Sequence, residues 1–83
     1  MTELDEFERS ILKALHSRKV YGAKHIRLER AMKSGFMPHQ YGEARKAIER
    51  LIKKSFIVYA KKGKQAIQLN IAMLAEIQAA VRG

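Results

Sequence analysis

The side chains best placed to do chemistry in this chain are cations. Lys46, Arg50 and Lys53 recur at three- and four-residue intervals, with Arg45 beside them and His39, Gln40 and Gly42 just ahead. Residues so spaced share one face of a helix. A second group, Lys61-Lys62-Gly63-Lys64, follows shortly after. Ammonium and guanidinium groups at this density recognise anions, and they gain affinity for a polyanion by releasing its condensed counterions. Acid–base or metal chemistry has little to stand on. Asp5 is the single aspartate, and His16, His25 and His39 are too scattered to form a recognisable metal motif. The chain also lacks a Gly-rich phosphate loop, a nucleophile elbow and a paired-carboxylate arrangement. The expectation is a binding protein: no enzyme, no catalytic residue, no metal and no cofactor.

Charge is unevenly spread. The net charge is +9, yet residues 1–8 hold four of the eight acids, and all 17 lysines and arginines lie at or beyond Arg9. A field of that sign speeds encounter with polyanions. With 83 residues the chain has room for one small core, so a single domain over 1–83 is expected. A composition 47% hydrophobic and 30% charged belongs to a folded globular domain rather than a disordered tail. Without cysteine, stability must come from packing or from burial against a second copy. No apolar run is long enough to span a bilayer and the first residues are acidic, so a cytoplasmic protein without membrane contact is expected.

The elements that must position these cations follow from hydrophobic spacing. Leu4, Phe7, Ile11, Leu12 and Leu15 predict a first helix over about Glu3–Ser17, with Thr2 and Asp5 as a capping-box-like start. Val20-Tyr21-Gly22 breaks that period and suggests a short extended segment. A second helix is predicted over about Lys24–Ser34, with Leu28, Ala31 and Met32 inward, Ile26 in its first turn and Gly35 as C-cap. Tyr41, Ala44, Ala47, Ile48, Leu51 and Ile52 define a third helix within about 38–54, opened by Pro38. A wheel at 100° per residue sets Ala44, Ile48 and Leu51 against His39, Gly42, Lys46, Arg50 and Lys53. Phe56–Ala60 and Ala66–Leu69 are β-forming runs, and the lysine-glycine cluster between them reads as a hairpin turn. Asn70 suits the N-cap of a last helix over about 71–82, with Ile71, Leu74, Ile77, Gln78 and Val81 on one face.

The fold class expected is mainly α with a small β-hairpin, an α+β arrangement. The segments His25–Gly35, Ala44–Lys54 and Phe56–Leu69, and above all the run Ile48–Val58, resemble the winged helix-turn-helix family of DNA-binding domains. The resemblance covers about Leu4 to Leu69. It implies a three-helix core plus wing and C-terminal helix, with the helix of about 38–54 entering the major groove and the wing at 61–64 touching the backbone beside it. It also implies a transcription regulator that binds double-stranded DNA sequence-specifically, as a homodimer formed through the first and last helices. The expected DNA-binding residues are His39, Gln40, Gly42, Arg45, Lys46, Arg50, Lys53, Lys61, Lys62 and Lys64. Gln40 and Arg45 have the donors and acceptors to read adenine and guanine edges, whereas Lys46, Arg50 and Lys53 suit phosphates. Gly42 would let the backbone approach the duplex closely. Two other occupants of the basic face stay open: an acidic protein, with the chain as an interaction module in a larger assembly, and structured RNA.

Overall fold

A computed structural model describes residues 4–21, 24–33, 35–60 and 65–82. Four helices and a three-stranded antiparallel sheet follow one another as α1 (Glu6–Ser17), β1 (Ile26–Arg27), α2 (Leu28–Lys33), α3 (Tyr41–Lys53), β2 (Ile57–Tyr59), β3 (Ala66–Leu69) and α4 (Leu74–Arg82). Short 3₁₀ turns at Pro38–Gln40 and Ile71–Met73 lead into α3 and α4.

α1 begins later than its spacing predicts. Asp5, rather than Thr2, is the N-cap: its carboxylate accepts from the Glu8 backbone N–H at 2.8 Å, and its own N–H donates to Glu8 Oε1 at 3.0 Å. That reciprocal box satisfies donors that the first helical turn leaves without partners. α1 and α3 end alike. Lys19 and Ser55 take left-handed backbone angles, φ +55° and +70°. Val20 and Phe56 then donate back to the carbonyls of Leu15 and Leu51, at 3.1 and 3.0 Å. This six-to-one bond turns the chain and drives an apolar residue inward just past each helix. Val20 and Phe56 are both buried.

The second helix is the main departure from the predicted elements. Ile26 and Arg27 are not its first turn but an edge strand, in register with Ile67 and Ala66 of β3. The Leu28 N–H donates to the Gln65 carbonyl at 2.8 Å. Backbone pairing with β3 overrides local helix propensity and cuts the helix to six residues. Ile26, placed by its position in the first turn of that helix, is instead a buried strand residue. The two-stranded hairpin is therefore part of a sheet of order β1-β3-β2, in which β2 pairs with β3 through Ile57↔Leu69, Val58↔Gln68 and Tyr59↔Ile67.

One hydrophobic cluster joins the elements: Ile11, Leu12 and Leu15 of α1, Ala44, Ala47, Ile48 and Leu51 of α3, and Ile57, Ile67, Leu69 and Ile77. Each fully buried Leu or Ile contributes about 1.5–3 kcal/mol relative to exposure. α4 packs on α1 of the same chain. Ile77 is wholly buried there and Leu74 and Val81 partly so, while Ile71 is 59% exposed. The stripe expected to pair across a two-fold thus spends its centre on its own core.

Candidate nucleic-acid interface

α3 is a rod of 13 residues, about 20 Å long. Its entry is fixed by a local exchange. The Met37 N–H donates to Gln40 Oε1 at 2.9 Å, and the Gln40 N–H donates to the Met37 carbonyl at 2.8 Å. Pro38 sits at the first position of that turn, where its missing N–H costs nothing. Gln40, expected to read bases, thereby has its carbonyl oxygen committed to capping, and it is partly buried. The N-cap position itself is Met37, which offers no side-chain oxygen, so the junction is closed from the N3 position by Gln40 alone.

Buried Ala44, Ala47, Ile48 and Leu51 fix the roll of α3, packing it against α1, α2 and β2. Arg45, Lys46, Glu49 and Lys53 are then exposed, as are His39 and Gly42. At Gly42 a Cβ would find nothing within 4 Å, so no neighbour in the fold demands glycine there. Lys46, Glu49, Arg50, Ile52 and Lys53 line a shallow surface hollow of about 550 Å³ together with Tyr59 of β2. The outer face of α3 and the loop-proximal end of β2 thus form one continuous surface. Lys61, Lys62 and Lys64, the expected wing contacts, lie outside the described residues.

Arg50, expected to meet phosphate, is ion-paired within the fold. Its Nη2 donates to Asp5 Oδ2 at 2.6 Å, and its Nε lies 3.9 Å from Glu8 Oε1. One turn on, Lys54 Nζ donates to Glu8 Oε2 at 2.7 Å. Glu8 is 2% exposed, and it is the buried charge that these cations neutralise. The acids at the start of α1 and two cations on the flank of α3 therefore form a clamp that ties the two helices together. Burial pushes the Asp5 carboxyl up, but the Glu8 backbone N–H and the Arg50 guanidinium pull it down further, so its pKa ends below the ordinary carboxylate value.

This clamp is what the sequence pattern could not reveal. Asp5 and Arg50 are 45 residues apart, and Glu8 and Lys54 are 46 apart. The only local sign was an Asp-x-x-Glu start to α1, which is a capping signal and says nothing of a distant partner.

Among the described residues, no group of three His, Asp or Glu side chains is placed to hold a metal ion, and no helix is long and apolar enough to cross a membrane. No protein-family model matches the chain, and no curated protein or solved structure matches it significantly.

Proposed function

We propose that this chain is a winged helix-turn-helix protein that binds double-stranded DNA, with α3 in the major groove and the β2–β3 hairpin against the flanking backbone, and that it acts as a transcription regulator. The observation that carries this reading is the shared hollow in which Lys46 and Lys53 of α3 stand next to Tyr59 of β2. It is supported by the packing of α2 on α3 across a turn containing Gly35 and Pro38.

The roles differ from residue to residue. A major groove about 12 Å wide admits a helix. Arg45, exposed near the start of α3, is the side chain suited to guanine O6 and N7. Lys46 and Lys53, exposed point charges, take phosphates, and His39 can add another contact at the helix entry. Arg50 holds α3 in place through Asp5 and Glu8 and is a positioning residue rather than a phosphate contact. A homodimer belongs to the same proposal, with exposed Ile71, in the 3₁₀ turn that leads into α4, as the apolar side chain left for a two-fold.

The test is fluorescence anisotropy of duplex DNA titrated with the protein between 50 and 200 mM salt. Each phosphate contact contributes about 0.9 to the slope of log affinity against log salt, so Lys46→Gln with Lys53→Gln lowers the slope by about 1.8. Salt-independent affinity would overturn the proposal. Equal competition by duplex RNA would overturn the major-groove docking, because the A-form major groove is too narrow to read.

A further inference from the structure

A second concentration of basic side chains lies away from α3. Arg18 at the end of α1, Lys24 and His25 ahead of β1, and Arg30 of α2 line a hollow of about 450 Å³ floored by Val20 and Ile26. An adjoining hollow of about 190 Å³ is lined by Arg27, Glu29, Arg30 and Lys33, so the two share Arg30. All six basic side chains are exposed. The sole acid among them, Glu29, is taken up by Lys33 at 3.1 Å. Arg18, Lys24, Arg27 and Arg30 have no carboxylate partner within 4.0 Å among the described residues.

Local reasons account for single members of this cluster but not for its convergence. A cation at the end of α1 suits the helix dipole, which covers Arg18. Charge on a short edge strand discourages edge-to-edge pairing, which covers Arg27. Neither reason brings Arg30 of α2 and Lys24 of the preceding loop to the same hollow. Like charges within a Debye length, about 10 Å at 0.1 M salt, repel one another when no anion lies between them. The polar chemistry of the hollow matches a run of phosphates.

Its position matters as much as its charge. β1 and β2 are the two edges of the sheet, with β3 between them. The α3 hollow includes Tyr59 of β2, and the second hollow includes Ile26 of β1. The two cationic surfaces therefore belong to opposite edges of a molecule 31 × 28 × 21 Å in extent.

We propose that the hollow formed by Arg18, Lys24, His25 and Arg30 is a second phosphate-binding surface, through which one chain holds a second segment of duplex DNA while α3 occupies the first. The inference rests on the duplex-binding reading of α3, and its test separates the two. Donor- and acceptor-labelled duplexes of about 20 base pairs are mixed with the intact chain, and energy transfer between them is read alongside anisotropy of a single duplex.

The wild-type chain brings the two labels together. Arg18→Gln with Arg30→Gln removes two phosphate contacts and weakens capture of the second duplex by roughly tenfold or more, leaving single-duplex affinity within about threefold. Arg18→Lys with Arg30→Lys keeps the charge and the energy transfer, which distinguishes lost phosphate contacts from lost structure. Transfer unchanged in the Gln variant, or none with the wild-type chain when a single duplex is bound, overturns the second surface. If single-duplex affinity instead falls with the Arg18 and Arg30 substitutions and is indifferent to Lys46→Gln with Lys53→Gln, the α3 reading fails while this hollow stands as the phosphate surface.

Discussion

Gly42→Ala separates what the fold requires from what a duplex requires. Gly42 is the second residue of α3, it is exposed, and an added Cβ meets nothing within 4 Å. Its backbone does not lie in the left-handed region that favours glycine. Inside a helix, glycine costs about 0.8–1 kcal/mol relative to alanine, and less near the first turn, so the substitution stabilises by about 0.5–1 kcal/mol. For a domain of this size that raises Tm by roughly 2–8 °C. On the binding side the sign is opposite. If the backbone at Gly42 lies against the duplex, the new methyl group displaces it and costs about one base-edge contact, 1–3 kcal/mol, or roughly a fivefold to 150-fold loss in affinity. Thermal melting by far-UV circular dichroism and anisotropy on one selected duplex give the two numbers. A more stable variant that binds equally well refutes close approach at Gly42, and a less stable one refutes the claim that the fold does not use this glycine.

Three further outcomes test the scaffold. Glu8→Gln keeps an oxygen for the Asp5 N–H but removes the charge that Lys54 and Arg50 neutralise; because both cations retain solvent access, the loss is about 1–3 kcal/mol rather than the full cost of an orphaned buried ion, read as a lowered urea midpoint. Ser55→Gly relieves a left-handed backbone at φ +70° and stabilises by about 0.5–1 kcal/mol, with no change in duplex affinity. The lowered pKa of Asp5 means that its contribution is complete above the ordinary carboxylate value and is lost as pH falls below it through the lower folded-state value; Asp5→Asn flattens that acidic part of the stability profile measured by denaturant titration.

What could be read from sequence was periodic. The stripes of α1 and α3 appear as Ile11, Leu12 and Leu15 and as Ala44, Ala47, Ile48 and Leu51, and all are buried as their spacing implies. β2 and β3 fall inside the predicted β runs because β-branched and aromatic residues there suit a pleated surface. β1 was illegible for the opposite reason. Two residues carry no period, and Ile26 and Arg27 become a strand only because β3 offers partners some 40 positions away. The capping bond of Gln40 was illegible because it depends on the 3₁₀ turn, which Pro38 permits but does not announce. Helical spacing also exposed one basic face and hid the other: Arg18, Lys24 and Arg30 come from separate segments that only the fold brings together.

The clamp changes the meaning of the charge asymmetry. Taken along the chain, acids in residues 1–8 and cations thereafter read as a dipole-adapted helix start followed by a basic domain. In three dimensions Asp5 and Glu8 neutralise Arg50 and Lys54, the cations on the flank of α3 that faces α1, and leave Lys46 and Lys53 on its outer face outside that network. Opposite charge on one flank and an apolar stripe beside it together fix the roll of α3 about its axis. A helix free to roll by one residue, 100°, would carry Lys46 and Lys53 away from Tyr59 and break the common surface. The acids that lower the net charge are thus, on the proposed function, part of what aims the remaining positive charge. Loss of the clamp should therefore weaken duplex binding even though it raises the net positive charge, whereas simple attraction between a basic protein and a polyanion requires the reverse.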